Sequence, residues 1–249
     1  MIVVPVAVCF IAAAIFFALE LAARARLAGQ PNGFRLAAGT LDLVTSLVVV
    51  LFAVVTTCFH VSREFSLGTV RAAWVRPMTR NSWYIGKVIS ACGAVTGVFL
   101  CAAAVIVLLA MWRFGLADLM EKDYLVHSAA SLGWRLVLSV ALTIWSLWAL
   151  VSVVAALAVF FCHPGSAIAA ALGIGILFTV LDMFSQIAPF VLSTYIGMPI
   201  EQMGAMASGV PLPFSWSQVI WRTLAGAGAW MAVAWIIGLC SIRQKEITF

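Results

Sequence analysis

Gly86-Lys87 is the nearest approach this sequence makes to a phosphate-binding loop, and it does not complete one. Such a loop needs G-x-x-x-x-G-K-[ST], so that backbone amides cradle phosphate and a hydroxyl holds magnesium. Here Val88 follows the lysine and Asn81 stands where the first glycine belongs, so we expect the chain to bind no nucleotide by that route. Cys9, Cys58, Cys92, Cys101, Cys162 and Cys240 fall within or at the ends of apolar runs and show no CxxC spacing. They read as small core residues, not as a disulfide framework or a metal site. His60, His127 and His163 are scattered, with no H-E-x-x-H and no His-rich tract to supply metal ligands. Ser46 and Asp182 do not combine with those histidines into a nucleophile and base. The expectation is therefore a protein that is not an enzyme, with no catalytic residue, no metal and no cofactor of its own.

What remains is the solvent these residues live in. Hydrophobic residues make up 65% of the chain, charged residues only 9%, and the mean hydropathy is +1.14. A sequence of that kind cannot keep an ordinary globular surface wet. Apolar runs recur near the ~20 residues a helix needs to cross a ~30 Å hydrocarbon core, and a helix satisfies its own backbone there. The alternation of a barrel strand is absent. We read an all-α integral membrane protein, one domain over 1–249, with six spans at about 2–20, 40–60, 86–111, 134–161, 166–188 and 219–241. The first is kept as a span, not a signal peptide, because it lacks a basic n-region and its apolar stretch is too long. An even count places both termini on one side.

A net charge of +5 with a pI near 9.1 would point to nucleic acid in a soluble protein; in a membrane protein basic residues mainly report topology, and no nucleic-acid partner is expected. Arg63, Arg71, Arg76, Arg80, Lys87, Arg243 and Lys245 fall on one side; Arg24, Arg26, Arg35, Arg113 and Lys122 fall on the other, with Arg135 and Arg222 at its border. Totals differ little, so density decides. The segment 63–87 holds five of the fourteen basic residues, and we place it with both termini in the cytoplasm.

Its residue order predicts local structure. Ser62 and Arg63 open a short interfacial helix, about 62–73, with Glu64 in a first turn where an acid complements the helix dipole. Gly68 and Thr69 lie at its middle, where glycine costs helix stability and favours a bend or close approach. Pro77 stops the helix and pushes Arg76 out of helical geometry. Thr79, Asn81 and Ser82 offer caps to the next helix, Trp83 and Tyr84 sit at headgroup depth, and Lys87 can snorkel. On composition alone an ordinary positive-inside loop is the favoured reading; the order of the residues is what points beyond it.

The order Glu64, Gly68-Thr69, Arg71, Pro77, Arg80, Gly86-Lys87 resembles the signature of ABC-2-type transporter permeases, E-x-x-x-G-T-x-R followed by P-x-x-R and G-K. That resemblance implies a cytoplasmic coupling helix between spans 2 and 3 that docks on a separate ATPase subunit. Glu64, Gly68, Thr69, Arg71, Pro77, Arg80, Gly86 and Lys87 would be its coupling residues, with ATP and Mg carried by the partner. The CHPG turn at 162–165, the tail SIRQKEITF and the Pro- and Gly-broken stretch 189–218 are also similar to the family layout, the last to its re-entrant extracellular segment between spans 5 and 6. The absent amphipathic lead-in and the arginines of the first outer loop depart from it. The family implies the permease subunit of an exporter in a bacterial cytoplasmic (inner) membrane. Two copies, a homodimer, would join two ATPase subunits.

Abundant Phe, Met, Trp and small residues suit an apolar or amphipathic cargo such as a lipid, drug or peptide, although lipid-facing surfaces need the same residues. The resemblance implies a path lined by spans 2 and 5, which makes Thr45, Phe52, Thr56, Met183 and Phe184 candidates, with Asp182 as an acid near the end of span 5. Gly93 with Gly97, Gly173 with Gly175 and Gly226 with Gly228 are read as packing positions within one subunit. A secondary transporter is disfavoured by the lack of an internal repeat; a non-pumping membrane anchor or immunity protein remains an alternative.

Overall fold

A computed structural model describes residues 3–26, 33–68, 79–116, 118–121, 124–212 and 214–244. Its helices are α1 (Val3–Arg26), α2 (Gly33–Leu43), α3 (Val50–Ser66), α4 (Arg80–Phe114), α5 (Ala129–Phe161), α6 (Pro164–Asp182), α7 (Leu192–Ala207) and α8 (Trp216–Gln244). The protein is all-helical apart from a short antiparallel hairpin, β1 (Leu119–Glu121) with β2 (Tyr124–His127), which pairs Met120 with Leu125. Five stretches among the described residues are long and apolar enough to cross a membrane: Gly33–Ser66, α4, α5, α6 and α8. This is a multi-pass membrane protein. The first expected span falls on α1, a 24-residue helix that includes the apolar stretch Ala7–Ala18.

The chain divides into two compact units. The first takes 1–49, 97–144 and 196–223. In it α1 packs on α2, and Gly33 opens α2 so close to α4's end that an added Cβ would lie 2.5 Å from the Gly115 carbonyl oxygen. Arg113, in the last turn of α4, donates Nε to the buried Glu20 carboxylate at 3.1 Å. Between α2 and α3 the helix widens over Val44–Val49. There Thr45 donates to the Leu41 carbonyl at 2.6 Å, one turn after Thr40 does the same to Leu36 at 2.7 Å, and such back-bonding competes with the helical ladder. From α7 this unit buries Ile196, Ile200, Met203 and Ala207, spaced as one helical face.

The second unit takes 50–96, 145–195 and 224–249. Here α3 packs against α6, and the Ser62 hydroxyl donates to the Ala158 carbonyl of α5 at 3.0 Å. Indole donors tie the helices further: Trp148 to Thr96 at 2.9 Å and Trp235 to Ser152 at 3.0 Å. Two glycines of α8 exist to admit rings. A Cβ at Gly226 would meet the Tyr195 ring at 2.1 Å, and one at Gly238 would meet the Tyr84 hydroxyl at 2.1 Å. Gly228 lies in ordinary contact range of Trp145. Gly93, Gly97, Gly173 and Gly175 have no atom within 4 Å of an added Cβ, so the expected packing within one subunit holds for Gly226 and Gly228 but not for these four.

Span ends also move. The second span starts at Gly33, not 40, because Phe34, Leu36 and Ala37 already bury a face. The fifth ends at Asp182, not 188: turns follow it, and the Thr194 hydroxyl donates to both the Asp182 carboxylate and the Ala188 carbonyl. The stretch 189–218 contains the sixteen-residue helix α7 with Pro199 inside it. The CHPG turn is tight. Cys162 adopts φ 58, His163 is extended before proline, and Pro164 starts α6.

Two substitutions check this frame. Cys162→Gly relieves the left-handed strain and is expected to raise stability by about 1 kcal/mol; Gly226→Ala drives a methyl into the Tyr195 ring and should cost about 1–3 kcal/mol. Both are read as unfolding midpoints in mixed detergent micelles.

Candidate functional site

The last turn of α3 and the first turns of α4 assemble a polar cluster in the second unit. α3 carries no glycine or proline from Val50 to Ser66, so nothing stops it at the membrane edge. The separate helix expected to open at Ser62 is not formed over its described part: Ser62 through Ser66 continue α3, and Glu64 stands in a last turn, not a first. Gly68, expected mid-helix, instead ends it with φ 69, while Leu67 N–H bonds the Arg63 carbonyl at 3.0 Å. That is the ordinary use of glycine after a helix C-terminus.

An acid in a last turn faces the negative end of the helix dipole. Two residues of α4 compensate. The Lys87 ammonium pairs with Glu64 Oε1, and Trp83 Nε1 donates to Oε2 at 2.9 Å. The side chains of Glu64 and Lys87 are 30% and 25% exposed, and Trp83 is buried. Lys87 also lies 5.9 Å from the Trp83 ring centre, and Phe65 meets that ring edge-on at 5.5 Å. Trp83 and Lys87 share a face because they are four apart on one helix.

The start of α4 is capped as expected by Thr79, whose Oγ1 accepts Ser82 N–H at 3.2 Å. Asn81 has a different role. Its Oδ1 accepts from Arg243 Nε at 3.3 Å, while Arg80 Nη1 donates to the Arg243 carbonyl at 3.3 Å, so α8's last turn is tied to α4's first. Gly86 is exposed with open space around it. The structure thus joins Glu64 with Lys87, sets Arg80 against α8, and leaves Gly68 and Gly86 outside the cluster. Thr69, Arg71, Arg76 and Pro77 lie outside the described residues. Sequence reading missed the Trp83 and Lys87 pairing to Glu64, which spans 19 and 23 residues and has no periodic signal, and missed Arg243 altogether as a partner.

The path candidates fall in both units, Thr45 in the first and the others in the second. Thr45 is buried in the first unit and spends its hydroxyl on Leu41. Phe52 and Thr56 are half-buried on α3; Met183 and Phe184 are exposed beyond α6, and Asp182 takes part in the Thr194 turn. An apolar groove of about 560 Å³ lined by Leu157, Phe160, Gly173, Ile174, Leu177 and Ile237 includes none of them.

The class these features define is a helical multi-pass membrane protein with an ion-paired cluster joining its third and fourth helices. Over residues 2–248 the chain matches the family described as Protein of unknown function (DUF2705), and it belongs to that family. No curated protein matches it.

A double-mutant cycle with Glu64→Gln and Lys87→Met is expected to give a coupling of about 1 kcal/mol, the upper range for a partly exposed pair. Unfolding midpoints of the four proteins measure it, and additive single effects would contradict the pairing.

Proposed function

We propose that this protein is the permease subunit of an ATP-driven exporter of the ABC-2 type, moving an apolar or amphipathic substrate across a bacterial cytoplasmic membrane. The observation that carries the reading is the clasp at Glu64. In the order Glu64, Gly68-Thr69, Arg71, Pro77, Arg80, Gly86-Lys87, the two charged ends, Glu64 and Lys87, are paired with each other. Such a clasp makes the ends of α3 and α4 a stiff base, and a push on the stretch of chain that joins them would reach both helices together. The motor is a separate ATPase carrying ATP and Mg, with Arg71 and Thr69 on the docking segment.

The rest of the reading follows the same line. Six spans, α1 included, put both termini in the cytoplasm, and the 189–218 stretch is the re-entrant segment. Two copies form the pathway, with α3 and α6, already packed together, at its wall. Support comes from the exposed apolar face of α6, Ile176, Leu177 and Val180, which a second copy would cover.

Co-purification in detergent with the ATPase encoded beside this chain tests it. A stable complex is expected, with nucleotide-driven transport in proteoliposomes that is lost in Glu64→Ala and Arg71→Ala while the isolated ATPase keeps its own hydrolysis. If no ATPase binds, or both substitutions leave transport intact, the chain is an anchor or immunity protein and the proposal fails.

A further inference from the structure

Arg135 and Arg222 of the first unit have no carboxylate partner among the described residues. Arg135 is the seventh residue of α5 and Arg222 the seventh of α8. Each follows an exposed tryptophan, Trp134 and Trp221, that stands out from an otherwise apolar helix. Exposed tryptophans of membrane helices sit at the level of the lipid headgroups, so both guanidiniums lie at that depth.

Both cations bracket one short segment. Arg135 lies 5.8 Å from the centre of the Trp216 ring, and Arg222 lies 4.3 Å from that of Phe214. The segment is pinned, because the buried Gln202 donates Nε2 to the Phe214 carbonyl at 2.6 Å. It also opens α8, with Ser215 Oγ capping Gln218 N–H, so the positive end of a helix dipole adds to the two charges. The only hydrogen-bond partner of the Arg135 guanidinium among the described residues is the Met206 thioether, 2.7 Å from Nη1, and a thioether is a weak acceptor. The Trp216 indole N–H is buried with no acceptor among the described residues. His127 offers no anion either; burial, and then the Arg135 charge, hold its pKa below the ordinary value. A half-buried guanidinium, an orphaned indole N–H and a helix start together make an uncompensated positive site.

We propose that Arg135, Arg222 and the Trp216 N–H form a binding site for the phosphate of an anionic phospholipid headgroup. One phosphate oxygen can accept from the Trp216 N–H while others take the guanidiniums, whose planar fork suits phosphate. The flanking Trp134 and Trp221 then lie against the same lipid's glycerol and upper acyl region. A lipid is the fitting source because the site lies at headgroup depth, where phosphate is abundant. This inference does not depend on ATP-driven transport.

The test uses the full chain, purified and delipidated in detergent, with binding read by native mass spectrometry against phosphatidylglycerol, phosphatidylcholine and inorganic phosphate. The unchanged protein should prefer phosphatidylglycerol over phosphatidylcholine by about tenfold, the effect of one charge-assisted contact. Arg135→Gln should abolish that preference, Arg222→Gln should reduce it, and Arg135→Lys should restore part of it. Trp216→Phe keeps an aromatic face for the Arg135 cation and removes the indole N–H, so it carries the test if Arg135→Gln does not fold; a severalfold loss is expected. Equal binding of the two lipids overturns the proposal, as does unchanged preference in Arg135→Gln or, in its place, in Trp216→Phe. Displacement of the lipid by inorganic phosphate at equal concentration also overturns it, since the site would then serve a free anion.

Discussion

Hydrocarbon offers no hydrogen bond to a peptide group, and that one constraint reaches every level of this protein. It makes the spans helical, and it also governs the polar side chains the helices carry. Thr40, Thr45, Ser139, Ser152 and Thr179 each return a hydroxyl to the carbonyl one turn back. Four indoles of the second unit find acceptors across helices: Trp148 and Trp235 on hydroxyls, Trp145 on the Leu224 carbonyl and Trp230 on the Phe190 carbonyl. Neither set could look to water. α5 carries several of these groups because over half of its most apolar stretch is inside the protein, against 11% for α6.

Glu20 and Glu64 obey the same constraint by standing near helix ends and in company. Glu20 is almost fully buried, whereas Arg113 is nearly half exposed, so the base brings its charge to the acid while keeping contact with solvent. A buried carboxylate without such a partner would be far more costly than the pair is favourable. Glu64 illustrates the other side of the rule. Its place in a last turn is electrostatically poor, and only the neighbouring helix, through Lys87 and Trp83, makes it tolerable.

Composition made the helical membrane class readable, and the CHPG turn was readable because Cys-His-Pro leaves the backbone few options. Thr79 announced itself as a cap by type and position. What failed were inferences that needed to know where a helix would stop. Ser62 and Glu64 look like a helix start in one dimension; in the folded chain the Ser62 hydroxyl is spent on Ala158, and α3 simply continues. Gly68 reads in one dimension as a bend or close approach inside a helix, whereas it follows the last residues of α3 with φ 69. The hairpin at 119–127 was missed because its alternation is only three or four residues long. The arginine site was missed for a different reason: Arg135 and Arg222 lie in separate helices, and only folding places Phe214 and Trp216 between them.

The glycines show what replaces the hydrophobic effect here. Lipid tails are as apolar as leucine, so burying another apolar side chain between two membrane helices gains little; close packing and hydrogen bonds supply the association. Tyr195 over Gly226 and Tyr84 over Gly238 give that close packing, a bulky ring seated where a Cβ is missing. The open glycines of α6 make no such contact, and its ties within the second unit include packing on α3, the Phe178 ring 5.3 Å from that of Trp230, the Pro164 turn and the Thr194 turn beyond Asp182. α6 is therefore held at its two ends and along one side. In water so exposed an apolar helix would be unstable, but in a bilayer its uncovered face costs nothing, which leaves that face free to be selected for what it meets and not for what it must hide.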